Sequence, residues 1–152
     1  MKHNALFLIL TLIASMGYAQ DRAFEDFAAH FGSSAAFAYT QVGGREVLLV
    51  SHEVFGTDDS LHAIAASLFA LDSEGKIVSL GSIRSQGTLY PVSLIEGQLL
   101  VAGHRFVSLY SLRGDEPDLV LTHHEEGDSE SPQLSQWFAT FEKAQAILFH
   151  RK

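Results

Sequence analysis

The most informative absence is cysteine, of which this chain of 152 residues has none. A disulfide framework is therefore excluded, and so is lipid attachment at an N-terminal cysteine of a processed chain. A fold without such cross-links depends on its apolar core, and a chain of this length is long enough to bury one.

Basic residues are also scarce, because 10 lysines and arginines stand against 18 aspartates and glutamates, for a formal charge of −8. The basic residues form no stripe along the chain, which argues against nucleic acid and anionic membrane surfaces as partners. No apolar run reaches the roughly 20 residues of a transmembrane helix. We therefore expect no membrane span.

Familiar catalytic motifs are missing as well. The chain has no nucleophile elbow, zinc-protease motif, phosphate-binding loop or dinucleotide fingerprint. Their absence favours a function that is not enzymatic.

What the N-terminus does contain is the pattern of a secretory signal peptide. A short polar start is followed by an apolar run over residues 5–14 and by small residues before a cleavage site at Gln20. The apolar run would cover roughly 15 Å as a helix, about half of a bilayer core, which favours a signal peptide over an anchor. We expect residues 1–19 to be removed and residues 20–152 to form one exported domain, periplasmic or secreted, of a bacterium.

The exported chain is predicted to begin with a short helix and to continue with strands. Between Asp21 and Phe31, apolar residues recur at spacings of three and four, which is typical of a helix with one apolar face. From Ala36 onward, short apolar runs alternate with glycine-containing turns and leave no room for crossover helices. The pattern predicts a mainly β fold, an antiparallel meander after a short N-terminal helix. The predicted strands are 36–42, 46–54, 64–71, 76–83, 88–95, 98–104, 106–112 and 118–124.

The C-terminal segment allows two interpretations. A helix would place Trp137, Phe138 and Phe141 on one apolar stripe. Two strands over 137–142 and 145–150 fit the composition equally well. An internal repeat favours the strands.

The repeat has an offset of 52 residues and aligns Val47–His52 with Leu99–His104. The segments before and after these two copies also match, apart from an insertion over Gly56 to Ile64 in the first copy. A weaker third copy begins at Trp137. The predicted repeat units are 36–86, 88–128 and a partial unit at 137–152.

Each unit has the size and the four-strand pattern of a β-propeller blade. The run Leu68–Val78 resembles the strand-turn-strand core of quinoprotein-type (PQQ-like) propeller repeats, with an aromatic-Ala-Leu-Asp run, a turn with Gly-Lys and a β-branched strand. The tryptophan that usually follows in that family is absent, and Ser79 and Leu80 stand there. The resemblance implies propeller-blade-like four-stranded repeats, in a family many of whose members bind partners rather than the quinone.

Two and a third units are too few to close a ring of about four to eight blades. Three arrangements stay open at this point. The chain is a partial propeller, or it builds a ring from several copies as a homo-oligomer, or it curls the same strands into a small sandwich or barrel.

Three histidines, His52, His104 and His150, occupy equivalent positions at the ends of the repeated strands. At one level of a ring, three imidazoles could hold a divalent metal such as zinc or copper. The alternative is that strand ends favour half-buried polar residues. No other cofactor is implied.

A second polar cluster contains His123, His124 and Glu125. On a strand, alternation places His123 with Glu125 on one face and His124 with Glu126 on the other. Either pair could act as an acid and a base or supply two metal ligands. The alternative is a solvated acidic loop.

The sequence as a whole favours an exported, non-enzymatic β-repeat domain that binds a protein or glycan partner, because long strand edges suit strand addition. Tyr90 and Trp137 begin repeat units and are candidates to line a binding groove, although core packing also explains them. The alternative function is a metal-dependent or His/Glu-based hydrolase that uses His123, Glu125 or the repeated histidines.

Overall fold

The structure is a computed structural model that describes residues 22–128 and 130–152. The predicted signal peptide and Asp21, the predicted cap of the first helix, lie outside these ranges. The prediction of a mainly β fold with a short N-terminal helix is confirmed. The elements are α1 (22–28), β1 (Ala36–Val42), β2 (Arg45–Ser51), β3 (Val54–Thr57), β4 (Ser60–Ala63), β5 (Ala65–Leu71), β6 (Ile77–Arg84), β7 (Ser93–Ile95), β8 (Gln98–Gly103), β9 (Phe106–Ser111), β10 (Val120–Glu126), α2 (Pro132–Phe141), β11 (Gln145–Ala146) and β12 (His150–Arg151).

Two antiparallel five-stranded sheets form the body of the molecule, in the orders β12-β1-β2-β5-β6 and β10-β9-β8-β7-β11. In each sheet four strands pair in their order along the chain, which is the meander that the glycine turns predict. The inserted residues 56–64 contribute to a separate hairpin, β3–β4. The propeller resemblance stays a prediction.

The two sheets pack against one another around a shared apolar core. Alternation along each strand sends one set of side chains inward: Val47 and Leu49 of β2 and Leu99 and Val101 of β8 all belong to this core. Because each strand has a second apolar set, the outer faces of the sheets also need cover.

Helix α1 covers the outer face of the first sheet. Phe24 and Ala28 are buried against Leu48 and Val50 of β2, the residues that alternate with the inward set. The rings of Phe27 and Phe69 lie 4.8 Å apart. The helix forms because its apolar residues share one face that this sheet buries.

Helix α2 covers the outer face of the second sheet, so the prediction of strands over 137–142 is wrong. Pro132 opens the helix, and the Ser131 hydroxyl accepts a hydrogen bond from the Leu134 amide at 3.4 Å. Leu134 is buried, and Trp137 packs with it over the sheet. Within the described ranges, neither helix is long and apolar enough to cross a membrane.

The segment after α2 joins the edges of both sheets instead of forming a third four-stranded unit. Gln145 and Ala146 pair with β7, whereas His150 and Arg151 pair with β1. Between these pairings Phe149 is buried in the shared core. The local similarity of residues 146–150 to residues 100–104 therefore does not produce a similar strand.

Candidate functional site

The polar surface of most interest lies at one end of the two sheets, where β2, β6 and β8 finish. After β6 the chain crosses here from the first sheet to the second. The Gln86 amide in this connection donates a hydrogen bond to the Ala102 carbonyl of β8 at 2.8 Å. A hollow of about 700 Å³ opens beside this crossing. Its walls include the apolar side chains of Ile64 and Phe106.

Two further hollows adjoin the one of about 700 Å³, which we call the central hollow. The first, of about 280 Å³, shares Glu53 and Arg84 with it. The second, of about 430 Å³, shares Arg105 and Phe106 with it. We call these three connected hollows the end groove. The other residues that line the two outer hollows include His52, Ser67, Ser82, Glu126 and Asp128.

Glu53 and Arg84 form a two-point ion pair in the wall of the end groove. Arg84 Nη1 lies 2.7 Å from Glu53 Oε2, and Nη2 donates to Oε1 at 2.8 Å. The hydrogen bond from Arg84 lowers the pKa of Glu53 below its ordinary value, and the same bond raises the pKa of Arg84. Each charge in this part of the groove is therefore already satisfied by the other.

Replacing Arg84 by glutamine is expected to raise the pKa of Glu53 toward its ordinary value, because the donated hydrogen bond and the positive charge are lost. The lowered pKa means that the pair stabilises the folded state above the unfolded carboxyl pKa and loses this effect as the pH falls through the folded pKa. An NMR titration of the Glu53 carboxyl carbon measures the change. Arg113→Gln is the control, and an unchanged Glu53 titration in the Arg84→Gln variant would contradict the assignment.

Arg105 differs from Arg84 in the contacts that the described residues offer it. Its backbone carbonyl accepts a hydrogen bond from the Gly127 amide at 3.0 Å, which holds the loop after β8. Among the residues that the structure describes, its guanidinium group makes no hydrogen bond or ion pair. Beside the ring of Phe106, Arg105 lines both the central hollow and the outer hollow that contains Glu126 and Asp128.

Ser108, His124 and Glu126 form a chain of polar contacts at the border of the end groove. Ser108 Oγ lies 2.7 Å from His124 Nδ1, and His124 Nε2 lies 3.0 Å from Glu126 Oε1. Strand pairing explains the contact, because His124 is directly opposite Ser108 in the β9–β10 register. Ser108 is only 3% exposed, so a substrate has little access to its hydroxyl.

His123 and Glu125 lie on the opposite face of β10, beneath α2. The imidazole of His123 stacks on the indole of Trp137, with ring centroids 4.3 Å apart. Its Nε2 atom is buried without a hydrogen bond among the described residues, and the closest acidic atom is Glu125 Oε1 at 3.4 Å. The two histidines of β10 therefore face different surroundings, as strand alternation predicts.

Replacing His123 by glutamine is expected to change the emission spectrum of Trp137, the only tryptophan of the chain, because it removes the ring that lies against the indole. His124→Gln, on the other face of β10, should leave the spectrum unchanged. Emission spectra of the two folded variants at one pH test this, and an equal change in both would contradict the contact between His123 and Trp137.

The three repeat histidines have separate neighbours. His104 Nδ1 lies 3.3 Å from the Tyr90 hydroxyl, and His52 Nδ1 lies 3.4 Å from Ser34 Oγ. His150 belongs to the edge strand β12. Among residues 22–128 and 130–152, no three His, Cys, Asp or Glu side chains are grouped closely enough to hold a metal ion. A metal role for these histidines stays a prediction that this geometry does not support.

The two candidate aromatic residues belong to the contact between α2 and the second sheet, Trp137 on the helix and Tyr90 beneath it. The ring of Tyr90 lies 5.7 Å from that of Phe138 and 5.8 Å from that of Phe141. Trp137 is part of the same cluster of partly buried side chains. Their role in binding stays a prediction, and their contacts are those of residues that hold the helix to the sheet.

No protein-family model, curated protein or solved structure matches this chain. Function must therefore be inferred from the end groove itself. The residues that sequence reasoning missed there are Glu53, Arg84, Arg105 and Phe106. A signal for two of them was present, because Glu53 and Arg105 directly follow the repeated histidines at the ends of β2 and β8.

Proposed function

We propose that this chain is an exported, non-enzymatic binding domain and that its partner, a protein or a glycan, docks in the end groove. Support for export comes from the signal-peptide pattern of residues 1–19. Support for binding comes from one observation above all. The central hollow shares Glu53 and Arg84 with one neighbouring hollow and Arg105 and Phe106 with another, so the three lie side by side.

The volume of the central hollow favours a specific site over surface roughness. At about 700 Å³ it lies within the roughly 300–1,000 Å³ of ligand sites in proteins. Such sites combine apolar walls with a few polar groups that orient the ligand. Ile64 and Phe106 supply the apolar walls, and Arg105 supplies an unsatisfied polar group.

The strand edges are weaker candidates for partner binding than the end groove. The long edge strand β6 has a register shift opposite Leu68 and Phe69, and the edge strand β10 has one between Leu121 and His123. Such β-bulges twist an edge away from a flat ladder and oppose strand addition. The bulges favour a partner that uses side chains at the strand ends.

Site-specific photocrosslinking tests the proposal. Benzoylphenylalanine is placed at Phe106 in the groove or at Leu121, an exposed residue about 17 Å away along β10. Each variant is exposed to envelope proteins of a bacterium that exports the chain and to an array of surface glycan fragments. We expect the same adduct to form at position 106 and not at position 121.

Two further results decide the interpretation. The adduct should disappear when Arg105 is replaced by glutamate and persist in Arg113→Gln, which alters a turn at the opposite end of the sheets. Crosslinks of equal yield at both positions, or none at position 106 with either class of partner, would reject the end groove as the binding site.

A hydrolase is the second candidate function, and the chain of polar contacts from Ser108 through His124 to Glu126 is the observation that favours it. The order acid, imidazole, hydroxyl is the one that activates a serine nucleophile. The burial of Ser108 opposes this function. A fluorophosphonate probe decides: stoichiometric labelling that is lost in Ser108→Ala favours the hydrolase, and an unlabelled folded protein favours the binding domain.

A further inference from the structure

We infer that the central hollow of the end groove binds the C-terminal residue of a partner polypeptide, with the terminal carboxylate on Arg105 and an apolar side chain against Phe106 and Ile64. The inference depends on the proposed function and narrows it to one class of partner. Charge is the first observation that supports it. Of the charged residues in this hollow, Glu53 and Arg84 neutralise one another through contacts of 2.7 and 2.8 Å.

The remaining charge is the guanidinium of Arg105, which has no partner within residues 22–128 and 130–152. The lining of the central hollow thus has one more positive than negative charge, on a chain whose formal charge is −8. A planar guanidinium group matches a carboxylate through two parallel hydrogen bonds. Charge complementarity thus selects an anionic group, and a carboxylate fits the geometry of the guanidinium.

The apolar walls select what must accompany the carboxylate. Phe106 stacks near His124, with ring centroids 6.4 Å apart, and its ring forms part of the wall beside Arg105. Ile64 lines the same hollow. A carboxylate beside an aliphatic or aromatic group is the chemistry of an apolar C-terminal residue, whereas an acidic sugar carries hydroxyl groups where the hollow is apolar.

The connection between hollows favours a chain terminus over a free small molecule. The central hollow adjoins a second one, which has Arg105 and Phe106 in common with it and whose lining contains Glu126 and Asp128. The residues that precede a bound C-terminus have space to continue along this path. Their amide groups would meet the acceptor oxygens of these two carboxylates.

The test uses fluorescein-labelled pentapeptides Gly-Ser-Gly-Ser-Xaa, with Leu, Phe, Val or Ser as the last residue, and measures fluorescence anisotropy. We expect the free acids that end in Leu, Phe or Val to bind. Their C-terminal amides should bind at least tenfold more weakly, because a charge-assisted hydrogen bond is lost, and a factor of ten corresponds to about 1.4 kcal/mol. The peptide that ends in Ser should also bind more weakly, because it leaves the apolar walls uncovered.

Variants locate the site. Arg105→Gln should reduce the affinity for the free acids at least tenfold and abolish the difference between acid and amide, whereas Arg113→Gln should change neither. Equal affinity for acid and amide, or an unchanged Arg105→Gln variant, would overturn the inference. So would binding of an acidic oligosaccharide by a protein that binds none of the peptides. If photocrosslinking at position 106 succeeds while peptides show no acid preference, the inference fails and the proposed function stands.

Discussion

Replacing Phe149 by alanine is expected to lower the free energy of unfolding by about 3–5 kcal/mol. Phe149 is 0% exposed and belongs to the core between the two sheets. The truncation removes a large buried ring and leaves a cavity that well-packed neighbours do not fill. Its backbone amide, which donates to the Leu61 carbonyl at 2.9 Å, is not changed by the substitution. The loss of stability therefore comes from the removal of the ring.

The adjacent residue provides a matched control for this prediction. Leu148 is 49% exposed, and Leu148→Ala should change the free energy of unfolding by about 0.5 kcal/mol or less. Urea unfolding followed by circular dichroism measures both variants. Equal destabilisation by the two substitutions would mean that the C-terminal segment does not pack into the core between the sheets.

The strand body of this fold was predictable because each local signal agrees with the final structure. The predicted strand 36–42 is the observed β1, since apolar residues on both faces are bounded by the Gly43-Gly44 turn. Gly97 has a φ of +75° at the turn between β7 and β8, a backbone conformation that glycine adopts readily. Where hairpins follow one another, pairing needs little information from distant residues.

The C-terminal segment was not predictable by the same reasoning, because its pattern suits two structures. Trp137, Phe138 and Phe141 form a helical stripe, and they also fit a β-rich composition. The outer face of the second sheet decides between the two structures. It includes the apolar residues Leu100 and Ala102, which a helix buries. The helix start signal at Ser131 and Pro132 was visible in the sequence, and it is a stronger indication of structure than a local repeat.

The candidate site was likewise only partly predictable from the sequence. The sequence repeat identified the ends of β2 and β8 as equivalent positions, and both ends contribute residues to the end groove. It could not identify the pairing of Glu53 with Arg84, because these residues are brought together only by the order of strands β2, β5 and β6. Nor could it show that Arg105 lacks a partner among the described residues, which depends on the positions of all its neighbours.

The layer arrangement explains why function is expected at a strand end. The inner faces of the two sheets bury one another, and α1 and α2 pack on the outer faces. The bulged edges oppose strand addition. Loops at the ends of a rigid sheet body are where proteins commonly place binding residues, and here such an end contains the end groove.

The opposite end of the sheets is held together by Gly43, and Gly43→Ala is expected to lower the free energy of unfolding by about 2–5 kcal/mol. Its amide donates to the Gly97 carbonyl at 3.0 Å, which joins the first hairpin of one sheet to that of the other. Its φ of +59° is unfavourable for alanine, and an added Cβ would lie 2.6 Å from the Leu112 carbonyl oxygen. Two costs therefore combine at this residue, namely backbone strain and a clash with backbone that cannot easily move.

The next residue separates these two costs. Gly44 has a φ of +78°, and among the described residues, its chain neighbours aside, no atom lies within 4 Å of the point that an added Cβ would occupy. Gly44→Ala should therefore cost only the backbone strain, about 1–2 kcal/mol. Urea unfolding of both variants gives the difference directly. If Gly43→Ala were no more destabilising than Gly44→Ala, the two sheets would not approach one another closely at this end, contrary to the structure. If the expected difference is found, the hairpin turn of the first sheet is packed against the second.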